Sequence, residues 1–310
     1  MSAFKILDGA MGSELIRRGM ELPEHIWSAA ANLTNPELVL EIHREYVDAG
    51  ADYITANTFR TTSRAYEKTG TSTSSVSSKK TGTLARKSVN KAVELAKEAA
   101  SNSVKVLGSI ASLEDCYSPE LFPGKNTAIT EFRQLGRWLS DAGVDIFLLE
   151  TMNSIAEAEA GLIALQSFKL PIWVSFVMKD DEYLLSGDLL LDALILLQDH
   201  SVNTVLLNCN PLQRTEKAMI LLTQNWTGKW GIYPNLGIGE PSPNGRITKY
   251  ESMEKFTSLM EKAIDLGASV VGACCGSTPE QISELSKIKI KLNLTSIPDT
   301  SSLNKVVDTP

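Results

Sequence analysis

Short apolar runs alternate with longer amphipathic stretches along the whole chain. Eight of these runs have the length and the β-branched or aromatic content of strands. They are Phe4–Leu7, Tyr53–Ala56, Val104–Gly108, Ile146–Glu150, Ile172–Val177, Thr204–Asn208, Gly231–Pro234 and Val270–Ala273. Continuous apolar stretches such as Ile146-Phe147-Leu148-Leu149 are typical of parallel strands that are covered on both faces. The alternation therefore predicts a parallel α/β protein.

Helix ends and helix starts support this count of strands. Gly50, Gly143 and Gly267 occupy the same place in three similar segments, each between an amphipathic stretch and an apolar run. Glycine at such a place ends a helix in the left-handed conformation. Pro36 and Pro279 each follow capping residues, which predicts a helix start at both. Eight strand–helix units favour a closed (β/α)8 TIM barrel, with an open doubly wound sheet as the alternative.

A single domain accounts for nearly the whole chain. Residues 1–293 are predicted to form the barrel, a fold that needs roughly 250 residues plus insertions. A serine- and threonine-rich insertion at about 69–83 and a tail, 294–310, contain few apolar residues to bury. We expect both segments to be peripheral.

Composition and charge exclude several classes of partner. The chain is 43% hydrophobic and 22% charged, which is ordinary for a globular protein. A formal net charge of -7 argues against attraction to nucleic acid or to an anionic membrane. We find no export signal and no apolar run long enough to span a membrane. With only four cysteines, these features predict a cytoplasmic protein that acts on small molecules.

Three of the cysteines directly follow predicted strands. Cys209 follows the sixth strand, and Cys274 and Cys275 follow the eighth, so a barrel would bring all three thiols to its C-terminal rim. Three thiolates suit a tetrahedral Zn²⁺ with one coordination position open, the pattern of a catalytic site. Two alternatives remain: ordinary buried packing of the thiols, or a structural zinc closed by Cys116 in a non-catalytic protein.

The adjacency of Cys274 and Cys275 sets a condition on this site. Neighbouring side chains point in opposite directions on a regular strand, so both thiols reach one ion only where the strand ends. Gly272 and Gly276 flank the pair and permit an irregular backbone there.

Two carboxylates also lie at predicted strand ends. Asp8 follows the first strand and Glu150 ends the fourth. Such a pair would hold a substrate ammonium or perform acid–base chemistry without a metal, and either residue alone would serve equally as a helix cap or a rim salt bridge. Other polar candidates at strand ends are Asn57, Thr58, Ser109, Ser175, Asn208 and Asn235. His43 and His200 are predicted to lie on helix surfaces, which leaves no support for a histidine-based triad.

Several segments in chain order resemble the homocysteine S-methyltransferase family. They are Asp8-Gly9-Ala10-Met11-Gly12, Ala56-Asn57-Thr58-Phe59, Leu149-Glu150-Thr151, Asn208-Cys209, Tyr233-Pro234-Asn235 and Gly272-Ala273-Cys274-Cys275-Gly276. The resemblance implies a (β/α)8 barrel and zinc bound by Cys209, Cys274 and Cys275. It further implies that Asp8 and Glu150 hold the amino group of homocysteine.

The resemblance also implies a reaction. Thr58 and Phe59 would approach the homocysteine carboxylate, while the homocysteine thiol would take the open zinc position, lose its proton and attack a methyl group to give methionine. A sulfonium donor, S-methylmethionine or S-adenosylmethionine, is preferred because it is already activated, and Trp27, Phe59 and Tyr233 are candidates to face its charge. Betaine and methylfolate or corrinoid donors are the alternatives. The chain has no Asp-X-His-X-X-Gly corrinoid signature and ends soon after the predicted eighth helix, which disfavours them.

Overall fold

Eight parallel strands form the centre of the molecule. The computed structural model describes residues 4–69, 78–100, 103–239 and 245–295. The strands are β1 (Lys5–Ile6), β2 (Tyr53–Ala56), β3 (Lys105–Ala111), β4 (Ile146–Met152), β5 (Ile172–Phe176), β6 (Thr204–Pro211), β7 (Lys229–Asn235) and β8 (Val270–Val271). All eight predicted strands are confirmed, with differences only at their ends.

Helices cover the outside of these strands. Within the described residues they are α1 (Met11–Arg17), α2 (Ala31–Thr34), α3 (Pro36–Asp48), α4 (Ser63–Thr69), α5 (Ser78–Ala99), α6 (Lys125–Ala142), α7 (Ile155–Leu165), α8 (Leu190–Asp199), α9 (Leu212–Asn225), α10 (Met253–Asp265) and α11 (Pro279–Thr295). None of these helices is long and apolar enough to cross a membrane.

The strand order closes the sheet into a barrel. Strands pair in the order β1-β8-β7-β6-β5-β4-β3-β2, and all neighbours in this order are parallel. A parallel bridge between Leu7 and Tyr53 joins β1 to β2. The single-domain (β/α)8 TIM barrel predicted from the sequence is thereby confirmed, and the open doubly wound alternative is wrong.

Alternating side chains divide the buried residues into two cores. The smaller core fills the barrel lumen with Leu7, Leu107, Ile146, Leu148, Trp173, Leu206, Tyr233 and Val270. The larger core lies between strands and helices and takes the intervening strand positions, such as Phe147, Val205 and Leu207. Since strand side chains alternate between two faces, the phase of each strand residue tells whether it faces the lumen or the helices.

The predicted helix boundaries are largely confirmed. Gly50, Gly143 and Gly267 have φ angles of 106°, 86° and 93°, the left-handed conformation expected at these helix ends. Helix α11 begins at Pro279, where the Thr278 hydroxyl accepts a hydrogen bond from the backbone N–H of Glu280. Helix α3 begins at Pro36 without any side-chain cap.

Two observations concern residues that were expected to be peripheral. Helix α5 begins at Ser78, inside the predicted insertion at about 69–83, and Thr81, Ala85 and Val89 recur along it at helical spacing and are buried. Its residues 70–77, and tail residues 296–310, lie outside the described residues. His43 is fully buried rather than on a helix surface.

Candidate metal and substrate site

Polar side chains replace apolar ones at the C-terminal end of the lumen. On four neighbouring strands, the lumen position two residues after a core residue is polar. These pairs are Leu107 and Ser109, Leu148 and Glu150, Trp173 and Ser175, and Leu206 and Asn208. Alternation therefore brings four of the predicted site residues to one level of the barrel. This is the face on which TIM-barrel enzymes carry their active sites.

The three predicted metal-binding cysteines meet beside this polar level. The Sγ atom of Cys209 lies 2.8 Å from that of Cys274 and 3.4 Å from that of Cys275. The Sγ atoms of Cys274 and Cys275 are 3.9 Å apart. Sulfur ligands with bonds of about 2.3 Å at tetrahedral corners are separated by about 3.8 Å. Movements of the sulfur atoms by less than about 1 Å would therefore bring all three to the separations that a tetrahedral metal requires.

The end of strand β8 explains how adjacent cysteines reach one point. Regular pairing stops at Val271, and the Cys274 N–H donates to the Pro234 carbonyl while the Cys275 carbonyl accepts from the Leu236 N–H. Gly276 then adopts a φ of 82°, which glycine tolerates better than other residues. The strand therefore ends before the pair, which is the condition under which both thiols reach one ion.

The electrostatics of the thiols also fit a cation. Hydrogen bonds from the Cys274 and Cys275 thiols hold the pKa of Cys209 well below its usual range. The pKa values of Cys274 and Cys275 are raised well above theirs, chiefly because each hydrogen-bonds Cys209. These hydrogen bonds favour ionisation of Cys209 over that of Cys274 and Cys275, and a bound cation would favour ionisation of all three thiols.

Cys116 does not join this group. Among the residues that the structure describes, the cluster of possible ligand atoms within 4.8 Å of one another consists of Cys209, Cys274 and Cys275. Cys116 is buried, and burial raises the pKa of its thiol far above the usual range. This arrangement disfavours a site closed by four thiolates and leaves a coordination position for another ligand.

Asp8 is a buried carboxylate and Glu150 a half-buried one, and neither has a basic partner in the described part of the chain. Asp8 accepts hydrogen bonds from the N–H and the hydroxyl of Thr55, at 2.8 and 3.1 Å. Glu150 accepts one from the Ser109 hydroxyl. Burial raises the pKa of Asp8 well above its usual range and that of Glu150 to about 7. A ligand ammonium would supply the countercharge that the protein does not.

Tyr233 presents an unpaired polar atom at the same level. It is only 3% exposed, and its hydroxyl makes no hydrogen bond of normal geometry with the described residues, although Glu150 and Ser175 lie near it. Burial raises the pKa of Tyr233, and the charge of Glu150 raises it further. A buried hydroxyl without a partner is costly, so a ligand that supplies the partner would be favoured.

The other predicted substrate contacts already have partners within the protein. The Asn57 amide donates to the Ser28 carbonyl and to Asn32, and the Thr58 hydroxyl donates to the Ser109 carbonyl. Asn235 accepts from the Gly237 N–H, and the Phe59 ring packs 5.7 Å from the Arg60 guanidinium. Their contacts to a substrate remain predictions.

Sequence reasoning missed two residues at this site. Tyr117, in the loop after β3, faces the Cys209 thiol, and the charge of Cys209 raises the pKa of Tyr117 well above its usual range. Thr151 follows Glu150 and hydrogen-bonds Asn208. Neither position follows from strand phase, since Tyr117 lies in a loop and Thr151 belongs to the helix-facing phase of β4.

Comparison with known proteins gives consistent matches. The family model described as homocysteine S-methyltransferase matches residues 5–288. Homocysteine S-methyltransferase 3 of Zea mays is 30% identical over 302 residues, which cover 89% of this chain and 87% of the relative. The structure of the homocysteine methyltransferase MmuM from Escherichia coli in its oxidized form has a TM-score of 0.79 at 26% identity, covering 93% of this chain and 96% of that one. Its metallated form gives the same TM-score at 25% identity and the same coverage.

Proposed function

The chain belongs to the homocysteine S-methyltransferase family, and on this premise we propose that it transfers a methyl group from a sulfonium donor to the thiol of L-homocysteine, forming L-methionine. The donor would be S-methylmethionine or S-adenosylmethionine. Zn²⁺ held by Cys209, Cys274 and Cys275 would be the cofactor. The family assignment makes the protein a methyltransferase.

The three cysteines would bind the metal and leave one position for the substrate sulfur. Their Sγ atoms converge at the top of the barrel, and Cys116 stands outside the group. Zinc bound there would supply the positive charge that keeps the substrate sulfur a thiolate at neutral pH. Three anionic ligands leave the site with net negative charge, which preserves the nucleophilicity of that sulfur.

Asp8 and Glu150 would bind the homocysteine ammonium. Asp8 is buried and Glu150 is half-buried, and an ammonium would offset the cost of removing these carboxylates from water. The Tyr233 hydroxyl lacks a partner and would add a hydrogen bond to the bound amino acid. Anchoring the amino-acid end fixes the sulfur relative to the incoming methyl carbon, which lowers the entropic part of the barrier.

The charge of the site favours a cationic donor. Three thiols and two carboxylates gather there, which attracts a sulfonium and repels the carboxylates of a folate. Tyr117 is 55% exposed beside Cys209, and its ring offers an aromatic surface for a cation. A sulfonium also carries its methyl group on an activated leaving group and therefore needs no second cofactor.

The observation that carries the proposal is the convergence of three thiols, all within 3.9 Å of one another, beside the carboxylates of Asp8 and Glu150. The test is to supply homocysteine with S-methylmethionine, S-adenosylmethionine, betaine or methylfolate in separate reactions. Methionine is quantified in each reaction, and bound zinc is measured on the same preparation. We expect one zinc per chain and turnover with a sulfonium.

Matched cysteine variants test the assigned ligands. Cys275→Ser is expected to lose both zinc and methionine formation, because one of three ligands is removed. Cys116→Ser is the control and is expected to keep its zinc. Undiminished methionine formation by Cys275→Ser, or zinc loss from Cys116→Ser, would contradict the ligand assignment. Turnover with betaine or methylfolate alone would overturn the choice of donor.

A further inference from the structure

The backbone of Cys209 departs from the strand that leads to it. Leu206 faces the lumen, whereas Val205 and Leu207 face the helices. Alternation would therefore direct the Cys209 side chain toward the helices, away from the other two thiols. Cys209 instead has a φ of 55°, and the pairing of β6 with β7 shifts register directly after Asn208. This left-handed residue turns the thiol to within hydrogen-bonding distance of Cys274.

A buried hydrogen-bonded chain crosses three strands directly before this turn. The Ser175 hydroxyl on β5 donates to Oδ1 of Asn208 at 2.6 Å. Nδ2 of Asn208 on β6 donates to the Thr151 hydroxyl on β4 at 2.7 Å. All three side chains are at most 3% exposed. Both ends of the Asn208 amide are therefore held by the protein.

Thr151 repeats the backbone irregularity of Cys209. Phe147 and Leu149 face the helices, so alternation would direct Thr151 to that side as well. Its φ of 57° and the register shift in β4 turn its hydroxyl toward Asn208 instead. Thr151 and Cys209 thus both adopt left-handed conformations. The amide of Asn208, the residue directly before Cys209, is hydrogen-bonded to Thr151 and so connects the two irregular positions. Such conformations persist only where their surroundings determine them.

Asn210 holds the other side of the turn. Its Oδ1 accepts from the Met178 N–H at 2.7 Å, and its Nδ2 donates to the Phe176 carbonyl at 3.4 Å. Asn210 is fully buried. Cys209 therefore lies between two asparagines that the protein holds. Asn208 is hydrogen-bonded to β4 and β5, and Asn210 is hydrogen-bonded to the last residue of β5 and to the segment after it.

We propose that Thr151, Asn208 and Asn210 are positioning residues that hold Cys209 in its left-handed turn, so that its thiol is in place before metal binds. None of the three needs to touch the metal or the substrate in this role. The inference rests on the proposed metal-binding function of the cysteines. It predicts that zinc affinity depends on hydroxyl and amide groups that are not themselves ligands.

Thr151→Val tests the proposal most directly. Valine keeps the shape of threonine but removes the hydroxyl, which leaves Nδ2 of Asn208 unpaired. We expect the dissociation constant for Zn²⁺, measured by competition with a chromophoric chelator, to rise about 10- to 100-fold. With Co²⁺ as the probe, the thiolate-to-cobalt absorption should weaken at a fixed metal concentration. Thr151→Ser restores the hydroxyl and should restore zinc affinity.

Ser88→Ala is the matched control. The Ser88 hydroxyl also accepts from a buried asparagine amide, that of Asn32, but it belongs to helix α5. Thermal unfolding of the metal-free proteins shows whether each variant folds. We expect Ser88→Ala to bind zinc as the wild type does. If Thr151→Val fails to fold, Ser175→Ala removes the other hydrogen bond of Asn208 and replaces it in the assay.

The outcomes separate this proposal from the proposed function. Wild-type zinc affinity in a folded Thr151→Val, or in a folded Ser175→Ala that replaces it, would overturn the positioning role. Equal weakening in Ser88→Ala would do the same, because the effect would then follow from any lost buried hydrogen bond. Retention of stoichiometric zinc by Cys275→Ser would instead refute the metal site itself. Weak binding that Thr151→Ser restores would support the positioning role.

Discussion

Binding of the amino-acid ligand is expected to weaken as the pH falls through about 7, because Glu150 takes up a proton there. Burial raises the pKa of Glu150 to about 7, and the protonated carboxyl no longer attracts an ammonium. A carboxyl with this pKa is about 90% ionised at pH 8 and about 10% ionised at pH 6. If only the ionised form binds, the Kd rises about tenfold between these two pH values.

Methionine is the right ligand for this measurement. It presents the same ammonium and carboxylate as homocysteine but has no thiol to titrate. Calorimetric titration of the protein with methionine at several pH values therefore isolates the carboxylates. Glu150→Gln should weaken binding at pH 8 by roughly 10- to 100-fold, the loss of one hydrogen bond to a charged group. The variant should also lose the part of the pH dependence that comes from Glu150 and keep only that of Asp8, whose pKa burial also raises.

Glu157→Gln is the control for this substitution. Glu157 is a buried carboxyl whose pKa is also raised, and glutamine keeps the oxygen that accepts from the Leu113 N–H. This variant should bind methionine with the pH dependence of the wild type. A pH-independent Kd in the wild type would refute the reasoning, as would an unchanged pH dependence in Glu150→Gln.

Three further predictions concern stability and the unpaired hydroxyl. Burial lowers the pKa of His43 from 6.5 to about 4, so the folded state resists protonation, and the free energy of unfolding should fall by roughly 3 kcal/mol as the pH falls from 6.5 to 4. In urea unfolding, His43→Phe should not show this loss of stability. Tyr233→Phe should weaken methionine binding about 3- to 10-fold without lowering the melting temperature of the free protein, and unchanged affinity would remove the hydroxyl from the site. Gly276→Ala should lower the melting temperature more than Gly267→Ala. Both residues have positive φ, but a Cβ at Gly276 would lie 3.2 Å from a backbone nitrogen, whereas a Cβ at Gly267 would meet nothing within 4 Å. Equal losses in melting temperature would show that the contact at Gly276 is harmless.

The fold was predictable because its signals are local. Each strand is an apolar run, and the left-handed glycines at positions 50, 143 and 267 mark helix ends in the sequence itself. The burial of His43 was also predictable from the sequence, although we expected this residue on a helix surface. Val39, Ile42, His43 and Tyr46 recur at the spacing of one helix face, and all four are buried.

The site was predictable where strand phase is regular. Ser109, Glu150, Ser175 and Asn208 all occupy lumen positions, so counting by two from the core residues locates them. Strand ends alone predicted that Cys209, Cys274 and Cys275 share one rim of the barrel. Contact among their sulfurs required a resemblance or the structure, because phase alone directs Cys209 toward the helices. Hydrogen-bond partners such as Thr55 for Asp8 depend on register between strands, which a single sequence does not specify.

The positions at which phase fails are themselves informative. In the described strands, Thr151 and Cys209 combine a non-glycine residue with a left-handed backbone, and each lies at a register shift. A regular strand would be more stable locally, since both residues would keep the extended conformation. Regularity would also turn the Cys209 thiol away from Cys274. The backbone strain thus lies where three sulfurs must converge. A sequence selected only for folding would have kept the regular alternation of strand side chains at these positions.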